Sequence, residues 1–157
     1  PIRMKNSKSY FEIKGNTNNN FVRININGLN HPNAELDWDR NWINSLVTFK
    51  VGAFTGNFSA NLMTTDFEIF KRELKFLNEN LKSSATFEGI ESQVKINIKG
   101  DGIGHLTITC WLMDYVGTGN ELNCELNSDQ TQLPKLIKQL ENITSEYPTT
   151  GELTIPN

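Results

Sequence analysis

Residues 64–82, TTDFEIFKRELKFLNENLK, divide the chain, because the spacing of apolar residues changes here. The apolar residues recur every three or four positions, which places their side chains on one face of an amphipathic helix. Thr65 and Glu68 have the separation of a capping box, in which each side chain accepts a backbone N–H of the first turn. The apolar residues of the stripe are Phe67, Phe70, Leu74, Leu77 and Leu81.

Segments on both sides of this helix alternate between apolar and polar residues, which predicts β-strands. Four precede it, at residues 10–14, 21–27, 43–51 and 54–62, and four follow, at residues 85–88, 93–99, 103–113 and 121–127. A second apolar stripe over residues 131–147 predicts a final helix, capped by Asp129 or Thr131. Residues 149–157 are expected to add a short strand.

The short connections between consecutive strands predict antiparallel pairing, and the alternation predicts one buried and one solvated face. We therefore predict an α+β fold: a curved antiparallel β meander of about eight strands with two α-helices packed on one face, in the order ββββα-ββββα. A chain of 157 residues suits a single domain, residues 1–157. Residues 1–8 are expected to be flexible or left over from cloning.

The register of the last two predicted strands follows from their shared turn. A turn centred on Gly117 places Cys110 opposite Cys124 and gives both strands the same apolar face. A slip of one residue would bury Glu125 instead. We predict that the two cysteines are small buried core neighbours. A metal or redox role would need further ligands on the same face, and the sequence places none there.

The opposite face of this hairpin is polar but also carries a tryptophan and a methionine. Polar faces with aromatic anchors are typical of protein-binding surfaces. Packing of Trp111 under a loop or the chain terminus is the alternative. The predicted register also places His105 opposite Asp129. The predicted partner-binding residues are His105, Trp111, Met113, Glu121, Glu125 and Asp129.

The net charge of −3 conceals an asymmetry between the two parts of the chain. Residues 1–99 carry 13 Lys and Arg against 10 Asp and Glu, whereas residues 100–157 carry 2 against 8. An acidic region argues against nucleic-acid binding, which needs a basic surface. It suits a basic protein partner, or it is ordinary solvated surface.

The composition and motifs indicate a cytoplasmic protein without chemistry of its own. Neither a transmembrane segment nor a signal peptide is present, and two cysteines suit a reducing compartment. The motifs GxxxxGK[ST], GxSxG, HExxH and CxxC are missing, so we predict no catalytic residues, metal or cofactor. A hydrolase that uses His105 beside Asp129 is an alternative to be tested.

Several stretches occur together in an order that resembles one known family. They are DWDRNW, GNFSANL, FKRELKFL, ATFEGIES, GDGIGH and SDQTQLPKLIKQLENI, between residues 37 and 143. Their order and spacing resemble the WapI-type immunity proteins of bacterial toxin systems. The most specific matches are Trp38-Asp39-x-Asn41-Trp42, Gly104-His105 and Asp129-Gln130-Thr131. Arg40 departs from the pattern, which favours a small residue such as glycine there.

The resemblance implies a protein that binds and neutralises the toxic C-terminal domain of a cognate bacterial toxin. Such toxins belong to polymorphic toxin systems that act in contact-dependent inhibition. Their toxic domains are commonly nucleases, so a basic partner is expected. The protein itself is expected to be a monomer or a homodimer. A small-molecule-binding α+β module is the alternative function.

The resemblance also bears on Trp38 and Trp42, which lie four residues apart in ELDWDRNWINSLVTFKV. Strict alternation places Trp42 on the outer face of the strand that follows, unless a bulge or turn at Asn41 rotates it inward. Both rings belong to the family pattern whatever the partner. We therefore predict that Trp38, Asp39 and Trp42 are structural, with the two rings closing the loop over a sheet edge.

Overall fold

The computed structural model describes residues 9–151 and 153 of the chain. The expectation for residues 1–8 lies outside the described residues. Residues 149–151 do not form the short strand predicted at the end of the chain, and most of the remaining tail also lies outside the described part.

Eight strands form two antiparallel sheets of four strands each. The first sheet contains β1 (Tyr10–Lys14), β2 (Phe21–Leu29), β3 (Trp42–Val51) and β4 (Phe54–Met63), in that order. The second sheet contains β5 (Ser84–Glu88), β6 (Val94–Gly100), β7 (His105–Met113) and β8 (Glu121–Asp129), also in chain order. The helices are α1 (Asp37–Arg40), α2 (Thr64–Glu79) and α3 (Gln132–Glu146).

The predicted α+β class and the ββββα-ββββα order are confirmed. The strands are divided into two sheets because α2 follows β4 directly and separates it from β5. The helix α2 packs against β5 and α3, and α3 packs against β1. Both sheets contribute to one hydrophobic core.

Four phenylalanines join the two halves of the chain at the centre of this core. Phe11 comes from β1, Phe67 and Phe70 come from α2, and Phe87 comes from β5. All four are fully buried, and the rings of Phe11 and Phe87 contact each other and both rings of α2, with centroids 5.2–6.1 Å apart in edge-on and tilted arrangements. Such arrangements are favourable for aromatic pairs. The apolar stripe that predicted α2 therefore fills the space between the two sheets.

The start of α2 differs from the prediction. The helix begins at Thr64, with Met63 at the N-cap position, so Thr65 and Glu68 lie inside the helix and do not form the capping box. The carboxylate of Asp66 instead accepts the backbone N–H of Met63 at 2.8 Å. The shift arises because β4 continues through Met63 and enters the helix without a connecting loop.

The predicted register of β7 and β8 is confirmed. Cys110 lies opposite Cys124, and His105 lies opposite Asp129. The strand β7 begins at His105, two residues later than predicted, because Gly102 and Gly104 adopt positive φ angles in the preceding turn. Thr131 occupies the N-cap position of α3, as one of the two predicted alternatives.

Candidate partner-binding site

The predicted partner-binding residues all lie on one surface, formed by the outward side chains of β6, β7 and β8. We call this surface the outer face of the second sheet. Trp111 and Met113 on β7 are half-buried, whereas Glu121 and Glu125 on β8 are exposed. Because β8 is the edge strand of this sheet, its acidic residues form a row along the border of the surface.

Trp111 lies on β7, the middle strand of the outer face, toward the end that carries Met113. It is opposite Asn123 on β8 and opposite Lys95 on β6. The Lys95 ammonium lies 5.2 Å from the centroid of the indole ring, which is within range of a cation–π interaction. The ring is therefore held by its own sheet and still offers part of its surface to solvent.

Two basic residues of the outer face were missed by the sequence analysis. Lys95 and Lys99 project outward from β6, on the opposite side of Trp111 from the acidic row. Their position was readable from the alternation of β6, because Val94, Ile96 and Ile98 point into the core. The surface thus has an apolar centre between a basic stripe and an acidic edge.

His105 lies at one end of the outer face, between two carboxylates. Its Nδ1 atom is 2.7 Å from a carboxylate oxygen of Asp101, rather than hydrogen-bonded to Asp129 across the strands. The N–H of Ile103 and the bond to His105 hold the pKa of Asp101 below its ordinary value. The hydroxyl and N–H of Thr131 do the same for the pKa of Asp129. Both carboxylates therefore stay ionised at neutral pH and add negative charge here.

Cys110 on β7 and Cys124 on β8 lie on the inner side of these two strands, opposite the outer face. Cys110 is fully buried and Cys124 is half-buried, and both thiols are free. The contact with the Cys124 sulfur and the burial of the side chain raise the pKa of Cys110. Within the described residues, no group of three or more His, Cys, Asp and Glu side chains is placed to hold a metal ion.

The predicted structural tryptophans contact each other outside the partner-binding surface. The rings of Trp38 and Trp42 meet edge to face, with centroids 6.5 Å apart. Trp42 is the first residue of β3 and is half-buried on the outer side of the first sheet, as strict alternation predicted. Since β3 is an interior strand, the rings cover the outer side of this sheet and not a sheet edge. Asp39 is half-buried in the single turn of α1.

Asn41 precedes Trp42 in the chain, and the sequence analysis named it in the family motif but did not predict its structural role. Its side chain is fully buried and makes hydrogen bonds to three separate parts of the chain. The amide donates to the carbonyls of Asp37 (2.6 Å) and Thr150 (3.0 Å), and accepts from the Thr64 hydroxyl (2.9 Å) and the Thr150 N–H (2.8 Å). We call Asn41, Asp37, Thr64 and Thr150 the Asn41 cluster. It ties α1, the start of α2 and the C-terminal segment together.

Comparison with known families connects this geometry to a class of protein. The model of the immunity protein WapI-like family matches residues 12–148. The chain belongs to this family. The match begins within β1 and ends just after α3, so it includes both sheets and, of the Asn41 cluster, Asp37, Asn41 and Thr64.

The resemblance seen in the sequence began only near residue 37, so the family assignment now also covers β1 and β2. A comparison with curated proteins found no match to the chain. Among the described residues, no helix has the length and apolarity needed to cross a membrane.

Proposed function

We propose that this member of the WapI-like family binds the toxic C-terminal domain of a cognate bacterial toxin and neutralises it without chemistry of its own. It would do so in the cytoplasm of the toxin-producing cell, as part of a polymorphic toxin system used in contact-dependent inhibition. Membership of an immunity protein family is the observation that carries this proposal.

We propose the outer face of the second sheet as the surface that contacts the toxin. The residues involved are the six predicted from sequence, with Trp111 and Met113 as the apolar anchors. Half-buried apolar side chains surrounded by charged groups are characteristic of interface centres, because the rim excludes water from the anchors. The arrangement of Trp111 between Lys95 and Asn123 supports this choice, since the ring is oriented before a partner arrives.

The charge of the surface indicates the kind of toxin domain that would fit it. Glu121, Glu125 and Asp129 line the edge strand β8, and the pKa of Asp129 is low. A basic domain would approach this edge with favourable long-range attraction, which raises the association rate at low ionic strength. The partner that we propose is therefore basic where it meets β8.

The proposal is tested by measuring binding between this protein and the toxin domain encoded beside it. Trp111→Ala and Glu125→Lys should each weaken binding by about 2 kcal/mol, or roughly 30-fold in Kd, as expected for interface anchors and for charge reversal at a close pair. Isothermal titration calorimetry gives the affinity, and co-expression with the toxin domain gives the protective effect. Both variants should keep the melting temperature of the parent protein.

Matched substitutions outside the surface provide the controls. Phe76→Ala removes an aromatic side chain that is 55% exposed on α2, and Glu79→Lys reverses an exposed charge at the end of the same helix. Neither should change the affinity. A large fall in melting temperature for Trp111→Ala would show that this ring is a packing residue and that the surface is misplaced. Failure of the parent protein to bind or protect against the toxin domain would reject the function itself.

A further inference from the structure

The strand β4 has a free edge that the fold leaves unpaired. It is the last strand of the first sheet, and β3 is its only strand neighbour within the described residues. The Thr64 N–H donates to Asn41 O (3.0 Å) and the Ser45 hydroxyl donates to Ala60 O (2.7 Å), so the backbone of even-numbered residues points toward β3. The backbone of the odd-numbered residues Thr55 and Asn57 therefore points outward.

The other three sheet edges are covered or charged. The strand β1 packs against α3, and β5 packs against α2. The edge strand β8 carries three acidic residues, and the carbonyl of Asn127 accepts the N–H of Asn16 at 2.8 Å. Such covering and charge are the usual devices that prevent edge-to-edge association. The sequence of β4, FTGNFSANLM, has no charged residue at all.

The exposed end of β4 also carries aromatic side chains that the core covers only in part. Phe54 is 63% exposed and Phe58 is half-buried, although both point to the same side as the buried Ala60 and Leu62. Phe49 on β3, which shares its strand face with the buried Val47 and Val51, is also only partly buried. Phe49 and Phe58 line a small pocket with Leu112 and Leu122 of the second sheet. Phe54 is therefore the exposed aromatic residue beside this neutral strand edge.

The segment FTGNF, residues 54–58, is symmetric in residue class about Gly56. It has an aromatic residue at each end, a neutral polar residue inside each aromatic, and glycine at the centre. In an antiparallel pair with an identical strand centred on this glycine, Phe54 of each copy would face Phe58 of the other. Thr55 of each copy would face Asn57 of the other, with their outward N–H and C=O groups forming the ladder.

We propose that β4 pairs antiparallel with β4 of a second copy of this protein, in the register centred on Gly56. The pairing places aromatic residues opposite aromatic residues, which favours cross-strand pairing, and brings no like charges together. A charged partner strand would have no opposite charge on β4 to pair with. An identical strand places aromatic residues opposite aromatic residues and neutral polar residues opposite neutral polar residues.

Two features around the axis are compatible with this register. The glycine at position 56 leaves room for the Phe49 ring, since a Cβ atom there would lie 2.9 Å from the ring. The carbonyl of Ser59 already accepts the side-chain amide of Gln93 at 3.2 Å, and the proposed ladder at Thr55 and Asn57 does not need it. None of the six proposed partner-binding residues belongs to β4, so the inference does not depend on the proposed function.

Sedimentation velocity over a range of protein concentrations tests the dimer with the protein alone. The parent protein should form a dimer at high concentration. Asn57→Lys should raise the dimer Kd about tenfold or more, because the lysines of both copies would meet near the axis. Phe54→Ser should also weaken the dimer by removing both aromatic pairs. Asn123→Lys, the same change at an exposed asparagine of β8, is the matched control and should leave the dimer unchanged.

Circular dichroism and melting temperature establish that each variant is folded before its association is interpreted. A parent protein that stays monomeric at millimolar concentration would refute the proposal. Equal weakening by Asn57→Lys and Asn123→Lys would place any dimer contact elsewhere. Protection of the β4 amides from hydrogen exchange only after a toxin domain is added would assign the edge to a toxin strand and also overturn the inference.

Discussion

The Asn41 cluster and the outer face of the second sheet use similar residue types in opposite ways. Each places polar and charged side chains close to tryptophan in the chain, near the end of a strand. The amide of Asn41 is fully buried, and its hydrogen-bonding groups are used within the chain. On the outer face, Glu121, Asn123 and Glu125 are exposed beside the half-buried ring of Trp111.

This difference teaches that hydrogen-bond satisfaction, and not residue type, separates a structural region from a binding region. A buried polar group without a partner is costly, so a buried cluster must be complete within the fold. An exposed polar group is satisfied by water and can exchange that water for a partner protein. The Asn41 cluster should therefore control stability, and the outer face should control recognition.

Replacing Asn41 by alanine is expected to have the largest effect on stability. The substitution leaves the Thr64 hydroxyl and the Thr150 N–H without their buried acceptor, and two carbonyls lose their donor. Loss of such a buried network should lower the free energy of unfolding by about 3 kcal/mol. Urea unfolding followed by circular dichroism measures this change.

Asn123→Ala is the matched control, because Asn123 is an exposed strand asparagine on the outer face. It should change the free energy of unfolding by less than about 0.5 kcal/mol. Similar values for the two alanine variants would contradict the division between a structural and a binding region.

Asp66 sharpens the comparison because it is a buried polar group that carries a charge. It accepts the N–H of Met63, but burial raises its pKa to about 7, with a smaller contribution from Glu88. Between the ordinary pKa and pH 7 the unfolded chain ionises while the folded protein stays protonated. This group therefore makes the folded protein less stable as the pH rises through that range.

Asp66→Asn should remove this pH dependence while keeping an oxygen that can accept the N–H of Met63. We expect the variant to be more stable than the parent protein by about 2 kcal/mol at pH 8, and of similar stability near pH 4. Urea unfolding at the two pH values measures the difference, and the pH 4 comparison is the internal control. A variant that is less stable than the parent at pH 8 would mean that the Asp66 charge is favourable in the fold.

Local spacing predicted the parts of the fold that depend on neighbours in sequence. The apolar stripe from Phe67 to Leu77 predicted α2. The turn at Gly117 and the alternation of apolar residues in β7 and β8 predicted that Cys110 faces Cys124. These features follow from one helix face or one short turn, where the periodicity of apolar residues leaves few alternatives. The same alternation placed the predicted partner-binding residues on one surface.

Features that depend on distant parts of the chain were missed. The bonds of Asn41 span 23 residues to Thr64 and 109 residues to Thr150, and no local pattern reveals such partners. The division into two sheets was also missed, because alternation identifies strands without showing that β4 and β5 do not pair. For the outer face, Lys95 and Lys99 were readable from alternation, but their position beside Trp111 required the pairing of β6 with β7.

The two cysteines behind the outer face should give the smallest effect. The Asp114 N–H donates to Asn120 O and the Gln130 N–H donates to Gly104 O. Opposed residues with even numbers in β7 and β8, including Cys110 and Cys124, are therefore the hydrogen-bonded pairs. Directly opposed Cα atoms are about 5.5 Å apart in such pairs, and their Cβ atoms diverge beyond the roughly 3.8 Å of a disulfide.

Treatment of the native protein with a mild oxidant such as diamide should therefore leave Cys110 and Cys124 as thiols, and the melting temperature should not change. Contact with Cys124 and burial raise the pKa of Cys110, whereas the hydrogen bond from Cys110 lowers the pKa of Cys124, so the spacing of the pair carries this expectation. Thiol titration after unfolding counts the remaining free cysteines, and oxidant applied to the unfolded protein shows that the reagent is active. An intramolecular disulfide formed in the native state, detected by mass spectrometry as the loss of two hydrogens, would mean that the inner side of this hairpin is less fixed than its register implies.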